Sequence, residues 1–254
     1  MSGLRILVGV VVICCAAIEA VAGERLVLST TEARTLLFFK ANNDAVDKLL
    51  PAGWSSNPGT GPTKDANMFI ALIEGIAAGD GDGKAVLHQG KTAVLVLPVK
   101  EEKTGSAAAM VVGGFVSEPQ AAPGAYNVYV PAKVSMAKTA RSEENGSTTI
   151  EESWDIATEA GDKLRFNAVY TRGIGTRAHI EPRIYAAMKP DFYRIYKADQ
   201  VTEIVHSTAE ETKRARKVEL SATGPQIAKL FDGSEQLVAV MSIPAYYRQV
   251  FLPE

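Results

Sequence analysis

The sequence predicts a strand-dominated fold with a few short helices, either a sheet-dominated α+β arrangement or a closed barrel. Three observations predict it: short apolar runs rich in Val, Ile, Leu and Ala, turn signals that separate them at close intervals, and only two segments with helix signals. Arg34 to Ala41 is strand-like. After it, Asn43-Asp44 offers a cap, Val46, Leu49 and Leu50 follow at helical spacing, and Pro51 stops that short helix. Met68 to Ile76, Thr92 to Val99 and Ala107 to Val116 suit strands buried on one or both faces. Gly79-Asp80-Gly81-Asp82-Gly83 and Glu101-Glu102-Lys103-Thr104-Gly105 are the turns between them. The pattern repeats at Tyr126 to Met136, Thr148 to Ile156, Lys163 to Tyr170, Phe192 to His206 and Arg216 to Ser221. Pro225 to Phe231 reads as a second short helix with proline in its first turn, and Glu235 to Leu252 closes the chain as an apolar run broken by Pro244.

The first residues read as an export signal. Arg5 precedes an apolar run from Ile6 to Ile18, and Ala20-Val21-Ala22 has the small-x-small pattern that a signal peptidase cuts. Cleavage after residue 22 would leave Gly23 first and deliver a secreted or periplasmic protein with no membrane span. Cys14 and Cys15 both lie inside this signal, so the mature chain is expected to lack disulfides, thiolate nucleophiles and cysteine metal sites. With no internal repeat and no low-complexity linker, residues 23–254 are expected to form a single domain. The formal net charge of -2 argues against nucleic acid as a partner.

Most motif matches reduce to turns or surface. Gly173-Ile174-Gly175-Thr176-Arg177-Ala178 spells a dinucleotide fingerprint, but Pro182 stands where its helix should propagate. Asp80-Gly81-Asp82-Gly83 starts like a calcium loop and lacks the later ligands. His88, His179 and His206 are too scattered to suggest a metal centre, and neither a metal nor another cofactor is expected. No Gly-x-Ser-x-Gly elbow is present. Lys213-Arg214-Ala215-Arg216-Lys217 suits a solvated edge kept from aggregating by its charge.

Tyr126-Asn127-Val128-Tyr129-Val130-Pro131-Ala132-Lys133 carries the chemistry of interest, because a desolvated amine on an apolar strand can attack a carbonyl. This segment, with Leu49-Leu50-Pro51, Gly224-Pro225 leading to Leu230-Phe231-Asp232, and the run Val238 to Pro253, occurs in the order seen in the acetoacetate decarboxylase family, which the chain resembles. The resemblance implies an α+β, β-dominated fold built on a cone-like, largely antiparallel β-barrel around a small apolar cavity, homo-oligomerisation, and decarboxylation of a small β-keto acid through a Schiff base. The ligand is then a small carbonyl or carboxylate compound.

For the chemistry the resemblance implies, Lys133 is the candidate nucleophile, and Glu74, the odd charge in an apolar run after Phe69, Ala71 and Ile73, is the candidate proton donor, with Arg34, Tyr129 and Ala132 as candidate substrate-binding residues. The family's paired lysines are incomplete here. Ala132 stands where the nucleophile belongs, and Lys133 at its neighbour's place. Around His88-Gln89-Gly90, where the family keeps an acidic residue, there is none. Strand alternation puts Val128, Val130, Ala132, Val134 and Met136 on one face, and Tyr129 and Lys133 on the other. A bulge at Pro131 would turn Lys133 inward. Lys138, a further amine, is expected at an exposed strand exit. Tyr185, Tyr193, Tyr196, Tyr246 and Tyr247 are candidates for a cavity wall or an interface. Two functions therefore stand open: an exported lyase working through Lys133, and a lapsed relative that only binds a small ligand in the barrel.

Overall fold

The computed structural model describes residues 23–86, 90–119 and 126–254. The expected signal at 1–22 and the pair His88-Gln89 lie outside the described residues. The strands are β1 (Glu24–Lys40), β2 (Trp54–Ser56), β3 (Met68–Asp80), β4 (Ala85–Val86), β5 (Lys91–Glu101), β6 (Ala107–Val116), β7 (Tyr129–Pro131) and β8 (Lys133–Ser142). They continue as β9 (Thr148–Ala157), β10 (Lys163–Thr171), β11 (Thr176–Ile180), β12 (Arg183–Ala186), β13 (Lys189–Ser207), β14 (Thr212–Lys213), β15 (Ala215–Thr223) and β16 (Gln236–Pro253). One short helix, α1 (Asn43–Asp47), opens with the Asn42 side chain accepting from the Asp44 amide.

Seven strands in the order β5-β3-β1-β16-β13-β12-β6 form a barrel, closed where β6 pairs with β5. Every step is antiparallel except β12 to β6, which is parallel, so the barrel is mixed. Long strands can curve round such a barrel because bulges bend them, and β1 shifts register against β16 at three points along its length. A second, antiparallel sheet in the order β15-β10-β9-β8 packs against the outside of this barrel.

Alternation explains why the apolar runs are continuous. On β5, Ala93, Leu95, Leu97 and Val99 face the second sheet, while Thr92, Val94 and Val96 face the barrel interior. On β3, Ile70 and Leu72 take the first side, and Ala71 and Ile73 the second. Both faces of these strands are covered, so no polar alternation marks them. Phe166, Trp154 and Ile156 from the second sheet complete the core between the two layers.

Three sequence expectations change in detail. The strand expected from Arg34 starts at Glu24, because its first half places polar residues inside the barrel. The helix expected over Pro225 to Phe231 is a single 3-10 turn, Ile227–Lys229. The strand expected over Tyr126 to Met136 divides at Ala132, whose amide donates to the Val116 carbonyl at 2.9 Å before the chain leaves the barrel for the second sheet. Pro131 has no amide to extend the ladder, so the break falls where pairing is already lost.

Candidate functional site

Inside the barrel lies a cavity of about 370 Å³, open to solvent. Val94, Val96, Val111 and Val250 supply apolar wall, as the alternation of β5, β6 and β16 requires. Into this lining β1 projects Glu32 and Arg34, β13 projects Arg194, Tyr196 and Gln200, and β16 projects Tyr246 and Arg248. Tyr126 and Tyr129 close one side from the segment at β7.

Glu32 is the hub of the charged wall. It is 1% exposed and accepts from the Tyr246 hydroxyl at 2.5 Å, from Arg248, and from Arg34 at 3.4 Å. Arg248 also reaches Thr30 at 3.3 Å, and its guanidinium lies 4.8 Å from the centre of the Tyr196 ring. Burial pulls the Arg248 pKa down, but Glu32 and the surrounding phenols outweigh it, and the group stays cationic. Arg34 stacks over Tyr246 at 4.8 Å, and Arg194 over Tyr126 at 5.6 Å. Three guanidinium groups against one carboxylate give the lining of described residues a surplus of two positive charges.

The phenols are donors here. Tyr126 donates to the Ile184 carbonyl at 3.2 Å, which leaves Tyr196 as donor in the 2.8 Å contact between their hydroxyls. Burial pushes the pKa values of Tyr126, Tyr129 and Tyr246 up, so all three hold their protons across the physiological range. Tyr129 is seated against Gly114, its partner in the parallel β6–β7 pairing. A Cβ on Gly114 would stand 2.7 Å from the Tyr129 ring and 2.8 Å from the Ala93 carbonyl, so this glycine makes the room for the ring.

Of the five residues singled out by sequence, Arg34 and Tyr129 line the cavity. Lys133, Ala132 and Glu74 do not. Lys133 is exposed and opens β8, opposite Ala157 in the second sheet, because the chain has already left the barrel. Ala132 packs against the core between the sheets. Glu74 is half-buried beside Ile73, which takes the cavity side, and pairs in register with Ala33 and Lys91. Lys138, expected in solvent, lies instead between the layers, 2.9 Å from Glu152. Burial lowers the Lys138 pKa, but Glu152 outweighs it and the net shift is upward, so this amine remains an ammonium.

No lysine of the chain lines the cavity, and the undescribed segments contain none. Lys229 borders a second hollow of about 320 Å³ that shares Tyr129, but its side chain is exposed. Tyr196 and Tyr246 are on the cavity wall, whereas Tyr185 stacks between Trp54 and Tyr193, and Tyr247 is exposed. Sequence reasoning missed Glu32, Arg194, Gln200 and Arg248. The signal for Glu32 was present, since Thr30, Glu32 and Arg34 recur at the period of a strand. Among the described residues no cluster of His, Cys, Asp and Glu could hold a metal.

The sequence matches no protein-family model and no curated protein. Solved structures do match. The enduracididine biosynthesis enzyme MppR, complexed with the condensation product of pyruvate and imidazole 4-carboxaldehyde, is 8% identical, with 88% of this chain and 87% of that chain covered and a TM-score of 0.56. An acetoacetate decarboxylase-like enzyme from Sphingomonas wittichii RW1 is 11% identical over 90% of this chain and 91% of that chain, with a TM-score of 0.54. MppR complexed with pyruvate gives 11% identity, coverage of 89% and 88%, and a TM-score of 0.54. The chain thus has the fold of the acetoacetate decarboxylase-like enzymes, the group its sequence resembles.

Proposed function

We propose that the barrel cavity binds a small carboxylate bearing a carbonyl group, and that it does so through ion pairs and hydrogen bonds, without an imine. The observation that carries this reading is a cavity wall with three arginines, one glutamate and no lysine. A Schiff base needs a neutral amine beside the bound carbonyl. Lys133 is on the wrong side of the barrel wall, and Lys138 is held as an ammonium outside the cavity. A guanidinium, by contrast, suits a planar carboxylate. Arg34 then orients the carboxylate, and the phenol of Tyr129 faces the carbonyl oxygen as donor. MppR, with the same fold, has been solved with pyruvate, which supports this class of ligand. Export follows from the expected signal at 1–22, and N-terminal sequencing of the processed protein should begin at Gly23.

The lysine-dependent decarboxylase is the weaker of the two readings left open by the sequence, and the lapsed relative that retains its cavity is the stronger. Calorimetric titration with pyruvate and acetoacetate tests the binding, followed by borohydride reduction and intact-mass measurement. Saturable binding, weakened by Arg34→Gln, with no adduct on any lysine is the expected result. A reduced covalent adduct would restore the imine, and failure of every carboxylate to bind would remove the proposal.

A further inference from the structure

Resting on that carboxylate reading, we infer that the ligand is a dianion, a small oxo-dicarboxylate whose second carboxylate pairs with Arg194. Arg34 and Arg248 both reach Glu32, so the trio presents a single surplus positive charge, enough for one carboxylate. Arg194 stands apart from it. Among the described residues it has no ion pair with an acid, its Nε is buried without an acceptor, and its guanidinium lies over the neutral Tyr126 ring.

Arg194 is half-buried, and an Nε–H cut off from water with no acceptor is unfavourable, since the valines of the wall supply none. An anion supplied from the cavity removes that cost. The two charged poles are held in a fixed relation by the tyrosine pair, since Arg194 lies over Tyr126, Arg248 lies over Tyr196, and the two hydroxyls meet at 2.8 Å. Between the poles the Tyr129 phenol offers a neutral donor, suited to a carbonyl or hydroxyl oxygen and not to a further charge. A cavity of about 370 Å³ accommodates a short dicarboxylate.

Matched ligand pairs test this with the folded, full-length protein. 2-Oxoglutarate is compared with 2-oxoglutaramate, its amide at the far carboxylate, and succinate with succinamate, so that each pair differs in one charge at nearly constant shape. Titration calorimetry should give the dianion a preference of about tenfold or more, the scale of one charge-assisted hydrogen bond. Arg194→Gln should bring that ratio down to about one, and Arg194→Lys, which keeps the charge, should retain part of it. Circular dichroism and melting curves check that each variant folds. Equal affinities in the wild-type protein, or a ratio unaltered in Arg194→Gln, would overturn the dianion and leave the carboxylate reading intact. No binding of either member of either pair would overturn both.

Discussion

The Arg248 guanidinium and the Glu32 carboxylate meet inside the barrel across the β1–β16 pairing, where Glu32 is 1% exposed. The register sets Glu32 opposite Tyr246 and Arg248 opposite Thr30, so the ion pair runs diagonally between adjacent strands. This pair fixes the sign of the cavity, because the carboxylate neutralises one of two nearby cations and leaves the other for a ligand. Glu32→Gln would leave Arg248 buried with no opposite charge, and a loss of about 3–5 kcal/mol is expected from breaking such a pair. An added carboxylate should compensate. Thermal denaturation should show a lowered midpoint in the variant and a larger upward shift with 2-oxoglutarate than in the wild type. A variant as stable as the wild type would mean that the pair is solvated in solution.

Lys133→Ala separates the resemblance from the geometry. An exposed side chain at the first position of β8 makes little difference to folding, so the stability change should stay within about 0.5 kcal/mol. Ligand affinity should not change, since Lys133 is not on the cavity wall. A large drop in pyruvate binding, measured by calorimetry, would contradict the placement of this lysine in the second sheet.

Gly114 has a role that its own chemistry does not reveal. With the Tyr129 ring 2.7 Å and the Ala93 carbonyl 2.8 Å from where a Cβ would stand, Gly114→Ala must displace both. Overpacking of this kind costs about 1–3 kcal/mol. Affinity for a carboxylate ligand should fall along with stability, whereas Tyr129→Phe in the wild-type background should weaken binding with the fold less affected. If Gly114→Ala binds as well as the wild type, Tyr129 does not shape the site.

How much of this was legible in the sequence depends on which face of a strand a residue occupies. The runs at Met68 to Ile76, Thr92 to Val99 and Ala107 to Val116 announce β3, β5 and β6, because strands covered on both sides carry uninterrupted apolar sequence. Face assignment at the central motif held from Val130 onward, where Val130, Ala132, Val134 and Met136 share the packed side and Lys133 the solvent side, but Val128, expected with them, packs with Tyr129 against the barrel interior. The identity of that packed side was not legible. Periodicity says that Ala132 is turned inward, yet inward here means the core between two sheets and not the cavity, a distinction made only by the crossing at Pro131. The charged wall was harder still. Glu32, Arg194 and Arg248 come from strands far apart in sequence, and nothing local marks an arginine on β13 as a neighbour of β16. Arg34 and Tyr129 were singled out through resemblance to a family, although Arg34 also shares the two-residue period of Thr30 and Glu32.

Alkaline pH should unfold this protein earlier than a barrel without internal phenols. Burial raises the pKa of Tyr126, Tyr129, Tyr170 and Tyr246, and for Lys138 burial is outweighed by Glu152, so that its pKa rises as well. Each group binds its proton more tightly folded than unfolded. The stability they contribute is therefore complete below the unfolded values of about 10 to 10.5 and is lost as pH climbs through the folded ones. On the acid side the sign reverses for His206, whose pKa is lowered by burial and then by Lys213, so stability declines once pH falls below about 6.5. Urea midpoints measured against pH should be level between these limits and drop above pH 10. Lys138→Met should lower the level region by about 3 kcal/mol, because Glu152 is left buried while still accepting from Thr35 and Trp154 at 2.8 Å each. The variant should also show a shallower alkaline limb, having lost one of the groups that titrate there. Midpoints that stay constant to pH 11.5 in the wild type would mean that the phenols are hydrated in solution, and the donor role assigned to them in the cavity would fall with that result.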